Sequence, residues 1–180
     1  MPYKYSMTAR DFTRRIMNGK KDVLQVFLNR LRNKKIRFCV IGGLAVNAYA
    51  EPVVSLDLDV VVASDRIQDL RESLPAGFKS KEFPNSLNIS GRGSDLRIQV
   101  QTDPRYQAFL EKARMKSVLG YNMPVARVED VLRGKIWAAL DETRRPSKRQ
   151  KDLADILRLV EKRSELARFI PAGLKSRLSL

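Results

Sequence analysis

The chain has 180 residues, 43% of them hydrophobic and 31% charged, which bounds it to one globular domain with room for a core and a small helical appendage. Histidine is absent and cysteine occurs once, at Cys39, which excludes His-based general bases, Ser-His-Asp triads, disulfide frameworks and cysteine zinc sites. The net charge of +15 is concentrated at the ends: residues 1–37 hold 11 basic against 2 acidic side chains, residues 141–180 hold 11 against 6, and the middle is nearly balanced.

That partition fits a polyanionic partner, since clustered Lys and Arg displace counterions from a nucleic-acid backbone, and equally the solvated surface of a basic protein. The longest nearly apolar run, Phe38 to Ala50, spans 13 residues, short of the roughly 20 that a membrane helix needs, so no membrane span is expected. The opening MPYKYSMTARDFTRR has no apolar stretch before a small-residue cleavage site, which predicts a cytoplasmic protein.

In chain order, Thr8 predicts the cap of a first helix, with Asp11 three residues on and Gly19 as its end. A second helix is predicted from about Lys21 to Asn33, with Leu24, Phe27, Leu28 and Leu31 as one apolar stripe. Strand Arg37 to Ile41 follows, carrying Cys39 as a small buried hydrophobe. Next come the pair Gly42-Gly43 and a short helix from Leu44 to Ala50. A second strand, Leu56 to Ala63, carries Asp57 and Asp59. Strand side chains alternate faces, so these two carboxylates project on the same side, and two like charges held together call for a cation. Oxygen donors on a rigid strand suit Mg²⁺. Gly42 and Gly43 let the backbone approach a ligand closely.

Ser64 is expected to cap a helix over 65–74, and 78–93 to form one or two short strands, with Gly91-x-Gly93 as a hairpin turn. Strand Asp95 to Gln101 alternates: Leu96, Ile98 and Val100 face one way, and Asp95, Arg97, Gln99 and Gln101 face solvent or a cleft beside the aspartates. Asp103-Pro104 predicts a helix over 105–113, and Lys116 to Ala126 a hairpin turning at Gly120 to Asn122. A longer helix from Val128 to about Asp141 would bury Val131, Leu132, Ile136 and Leu140, with Lys135 and Trp137 flanking. A basic loop, ETRRPSKRQ, leads to a last long helix from Lys151 to about Lys162.

Gly42-Gly43 followed after 13 residues by Asp57-Leu58-Asp59 resembles the signature of the nucleotidyltransferase superfamily of the DNA polymerase β type. Lys135 in RGKIWAAL, Arg144 and Arg145 in the next loop, and Lys151-Asp152-Leu153-Ala154-Asp155 resemble its AbiEii-like branch, found in abortive-infection and toxin-antitoxin systems. The resemblance implies a minimal α/β (α+β) fold, a mixed sheet flanked by helices, with a core over 1–126 and a small helical part over 127–180. It implies transfer of a nucleoside monophosphate from a nucleoside triphosphate to an acceptor, tRNA or another nucleic acid, with Mg²⁺ on Asp57 and Asp59 and a cognate antitoxin as possible partner. Gly42, Gly43, Ser55, Arg144, Lys151 and Asp152 would then contact the nucleotide, and Lys135 would act in catalysis. The branch's R-x-[ST]-x-D pattern reads Val53-Val54-Ser55-Leu56-Asp57 here, keeping Ser55 and lacking the arginine. Active members add a third carboxylate from a neighbouring strand. Asp95 is the preferred candidate, as the only carboxylate on its strand face; the alternative alignment places Gln99 there.

Overall fold

The structure, a computed structural model, describes residues 8–19 and 22–180. The expected helix start at Lys21, and the basic residues Lys4, Lys20 and Lys21, lie outside them. Thr8 caps α1 (Ala9–Ile16): its hydroxyl accepts the Asp11 N–H at 3.1 Å and donates to the Asp11 carboxylate at 2.7 Å. α2 (Val23–Asn33) is capped by Asp22, which accepts the Gln25 N–H at 2.9 Å. Its predicted stripe is buried, and Phe27, Leu28 and Leu31 have no exposure, each burial contributing about 1.5–3 kcal/mol.

β1 (Phe38–Ile41) runs directly into α3 (Gly42–Val46). The Gly pair is therefore the first turn of that helix, which starts two residues earlier than expected and ends in turns before Ala50. β2 (Asp57–Val62) is followed by a 3₁₀ turn, Ser64–Arg66, and by α4 (Ile67–Glu72). Ser64 is not a side-chain cap; its N–H donates instead to Gln107 Oε1 at 3.1 Å. β3 (Phe78–Phe83) and β4 (Ser86–Gly91) form a hairpin turning at 84–85, and β4 turns at 92–93 into antiparallel β5 (Arg97–Gln101), as expected for Gly91-x-Gly93.

Pro104–Leu110 is a 3₁₀ helix, with the Asp103 carboxylate accepting the Arg105 N–H. β6 (Arg114–Val118) and β7 (Tyr121–Val125) pair through a turn in which Leu119 and Gly120 both have positive φ (51° and 82°), one residue earlier than predicted. α5 (Val128–Leu140) buries Val131, Leu132 and Ile136 as expected, but Leu140 is 48% exposed because the helix ends there; Ala139 takes its place in the core. α6 spans Pro146–Lys162, not Lys151–Lys162: Pro146 occupies the first turn, where its missing N–H is harmless and its fixed φ is already helical. A 3₁₀ turn, Ser164–Phe169, and α7 (Ala172–Leu178) close the chain.

The seven strands make one mixed sheet in the order β3-β4-β5-β2-β1-β7-β6. β2 lies near its centre, parallel to β5 and antiparallel to β1, so the apolar segment around the aspartates is no edge strand. One face carries Leu58, Ile98 and Ile89, and α2 packs against it at β4, so closely that a Cβ at Gly91 would sit 2.7 Å from Val23 Cγ1. The opposite face carries Asp57 and Asp59 and looks toward α3, α5 and α6. Among the described residues no helix is long and apolar enough to cross a membrane.

Candidate functional site

A cleft of about 630 Å³ opens over that second face, with β2 on its floor. Asp57, Asp59, Gly42, Gly43 and Ser55 all line it, as the sequence spacing anticipated. Ser55 orients the start of β2: its hydroxyl accepts the Asp57 N–H at 3.2 Å and lies 3.3 Å from the Asp57 carbonyl. The loop before it is tied down by Asn47, whose amide accepts the Val53 N–H at 3.0 Å and donates to the Val53 carbonyl at 2.7 Å.

The two carboxylates differ in environment. Asp57 pairs with Arg97 at 2.7 Å and with Lys148 at 3.4 Å, and the Arg97 side chain is 69% exposed, so the first pair is weak and readily opened. Asp59 has no ion-pair partner among the described residues. Burial pushes its carboxyl above the ordinary range and Asp57 adds to that, while Lys135, Arg144 and Lys151 pull the other way. Gly42, at φ +66°, leaves the space its carboxylate uses: a Cβ there would lie 2.1 Å from Asp59 Oδ2. At Gly43 the nearest atoms would be 4.0 Å away. Gly42→Ala is therefore expected to displace the Asp59 carboxylate, destabilise the fold by about 1–3 kcal/mol and remove metal-nucleotide binding, with Gly43→Ala far milder. Denaturant titration and calorimetric binding on both variants check this; equal effects would contradict it.

The other wall comes from α5, α6 and the loop between them. Lys135, expected on a flank, is buried at 6% exposure and held by Asp152 at 2.8 Å and Asp155 at 2.7 Å. Burial pulls its ammonium pKa down, but the two aspartates outweigh this and leave it above the ordinary lysine value. Asp152 also accepts from Arg144 at 2.7 Å, and Asp155 from Arg158 at 2.7 Å. The two aspartates are mid-helix ligands of a buried cation cluster; with α6 starting at Pro146, they are not first-turn partners of the helix dipole. Arg144, Lys148, Lys151 and Asp152 reach the cleft, as does the Lys135 end of the cluster.

Asp95 does not line the cleft. Strand pairing starts only at Arg97, because Ser94 and Asp95 are drawn to α1's end: the Asp95 N–H and Ser94 hydroxyl both donate to the Met17 carbonyl, at 2.8 and 3.1 Å. The strand's polar face does line the cleft, and the residue paired directly with Asp59 is Gln99. Lys148, Tyr106, Phe109 and Asp130 also line it and were not anticipated. A helix read from Pro146 would have found Lys148, since 148, 151, 152 and 155 share one helical face.

No protein-family model matches the chain, and no curated protein matches it. Solved structures do. ANT(2'')-Ia in complex with adenylyl-2''-tobramycin aligns with a TM-score of 0.61 at 14% identity, over 86% of this chain and 96% of that one. An antigenic nucleotidyltransferase-like protein from Paracoccidioides brasiliensis aligns with a TM-score of 0.59 at 18% identity, over 86% of each chain. This is a nucleotidyltransferase fold. The lincomycin-bound lincosamide antibiotic adenylyltransferase LnuA shares it, with a TM-score of 0.54 at 13% identity over 79% of this chain and 99% of that one. On this nucleotidyltransferase fold the D-x-D strand is central and its carboxylates face a cationic helical wall across the cleft. The donor set suits a hard divalent cation: two carboxylates on one strand face, one of them unpaired, beside a glycine that leaves room for it.

Proposed function

We propose that the chain is a Mg²⁺-dependent nucleotidyltransferase that moves a nucleoside monophosphate from a nucleoside triphosphate to a hydroxyl acceptor. The observation that carries this reading is the unpaired Asp59 beside Asp57, facing Arg144, Lys148 and Lys151 across the cleft. Asp57 and Asp59 would hold Mg²⁺, whose contribution is to neutralise charge on the phosphoryl group in flight. Arg144, Lys148 and Lys151 orient the triphosphate and meet the charge gathering on the leaving pyrophosphate. Lys135, locked by Asp152 and Asp155, positions that wall and biases Asp59 toward its ionised form. The acceptor oxygen forms the new bond to the α-phosphorus, its proton passes to solvent through the open cleft, and the bond to the bridging oxygen of pyrophosphate breaks.

Convergence of Lys135, Arg144 and the Lys151–Asp155 segment in one cluster supports the AbiEii-like branch, and with it a toxin-antitoxin or phage-defence role and a cognate antitoxin. LnuA is an adenylyltransferase and ANT(2'')-Ia was seen with an adenylylated aminoglycoside, which supports nucleotide transfer as the chemistry. The net charge of +15 favours a nucleic-acid acceptor such as tRNA over a cationic drug.

Gln99 favours a second reading, a nucleotidyltransferase-fold protein that binds nucleotide and RNA without transfer, because it sets an amide beside Asp59 on the strand where the family resemblance implies a third carboxylate. Incubation with each α-labelled triphosphate, total RNA and protein separates the two. Mg²⁺-dependent label on RNA is expected, abolished by a chelator and retained in Asp95→Asn. Nucleotide binding with no labelled product under any condition would establish the second reading in its place.

A further inference from the structure

The cleft's sheet wall is open beyond the aspartates. Strand register carries the polar face outward in rows: Asp59 pairs with Gln99, Gln99 with Asn88 and Asn88 with Lys81. A second row, Asp57, Arg97, Ser90 and Lys79, runs beside it. Neighbouring strands are about 4.8 Å apart, so each row extends about 14 Å from carboxylate to lysine backbone. Every residue from Lys79 to Phe83 is exposed, and Lys79, Lys81 and Phe83 share the cleft-facing side of edge strand β3. Phe83 is 42% exposed, and the Lys81 ammonium lies 5.1 Å from its ring centre.

Beyond the two aspartates the charges on this wall have one sign. The hairpin's one carboxylate, Glu82, projects to the opposite face, where Arg71 pairs with it at 2.9 Å. What remains on the cleft side is cationic side chains, amides, hydroxyls and an accessible aromatic ring. That combination matches a phosphate backbone with unpaired bases: the cations meet phosphates, the amides meet base edges, and the ring supplies a stacking surface. A cationic acceptor would be repelled by the lysines at the outer end of the wall.

We infer that the outer face of β3, β4 and β5 is the platform for the end of a single-stranded nucleic acid, laid from Phe83 and Lys81 inward so that its terminal hydroxyl reaches Asp57 and Asp59. This rests on the transferase reading for the terminal hydroxyl's purpose, but the platform itself is tested by binding alone.

The test uses the full chain and fluorescent 12-nucleotide RNAs, single-stranded or fully paired, in anisotropy titrations across a salt series. Lys79→Ala/Lys81→Ala is expected to weaken single-strand binding about tenfold and flatten the log-log salt slope by about 1.4, two phosphates at about 0.7 each. Phe83→Ala should weaken it roughly 5- to 100-fold. All three side chains are exposed, so thermal midpoints and Mg²⁺-nucleotide affinity should stay at wild-type values. Wild-type affinity and slope in both variants would overturn the platform, as would equal binding of the paired RNA. A protein that shows these losses but transfers no nucleotide would leave the platform standing and remove the transferase reading.

Discussion

Asp59→Asn is expected to abolish Mg²⁺-dependent nucleotide binding and, at the same time, to raise the thermal midpoint of the nucleotide-free protein at neutral pH. The first effect follows from its position as the unpaired carboxylate of the D-x-D pair, facing the cationic wall. If Asp59 holds Mg²⁺ as proposed, its loss removes several kcal/mol of transition-state stabilisation, a rate loss on the order of 10³-fold or more. The second follows from its raised pKa, caused first by burial and then by Asp57. A carboxyl whose folded-state pKa lies above its unfolded value holds its proton more tightly in the folded protein. Its contribution to stability is therefore full below the ordinary carboxyl range and is lost as pH rises through the raised pKa.

At neutral pH the ionised Asp59 is thus a burden on the empty fold, which an amide would relieve and a bound cation offsets. Asp57→Asn should also lose binding, but its partners Arg97 and Lys148 are surface cations, so its midpoint should move little. Scanning calorimetry with and without Mg²⁺ and nucleotide, from about pH 4 to pH 8, reads both effects. A variant that still gains stability from Mg²⁺ and nucleotide would sink the metal-site reading. A lowered midpoint in the empty Asp59→Asn protein would sink the account of its strain.

Lys135→Met is expected to produce the largest loss of stability of any single change at the site. Its ammonium lies between Asp152 and Asp155, all three nearly inaccessible, and removing it leaves two buried carboxylates served, among the described residues, only by Arg144 and Arg158. Breaking one side of such a buried pair costs about 3–5 kcal/mol, which for a chain of this size lowers the midpoint by about 6–20 °C. Adding Asp155→Asn to Lys135→Met should recover part of the loss, because the second substitution removes one stranded charge.

The pH dependence is also determined. The Lys135 pKa sits above the ordinary lysine value, so its stabilisation is complete below that value and is lost only as pH rises through the elevated one. The gap between wild type and variant should therefore stay constant across pH 6 to 9, about four units below to one and a half below the lysine range. Urea unfolding at several pH values measures it. A loss under about 1 kcal/mol would mean that the cluster is not the keystone of the α5–α6 wall.

What the sequence determined by itself was whatever depends on local period. A strand repeats every two residues, so Asp57 and Asp59 had to share a face wherever the strand lay, and Leu96, Ile98 and Val100 had to share another. The stripe of α2 and most of that of α5 follow in the same way from the helical repeat. Gly42 was legible as a place of close backbone approach, but that the neighbour it accommodates is the Asp59 carboxylate came from the fold.

Tertiary structure decided which residue stands across from which, because register and strand ends are set by partners distant in sequence. Asp95 and Gln99 have the same parity, so alternation could not choose between them. The choice was made where the Met17 carbonyl draws Ser94 and Asp95 out of the ladder and the pairing of β2 with β5 sets Gln99 beside Asp59. Lys135 read as a flanking lysine because its neighbours in sequence are apolar. Its two carboxylate partners come from another helix, 17 and 20 residues on, and only the packing of α5 against α6 brings the three charges within 3 Å.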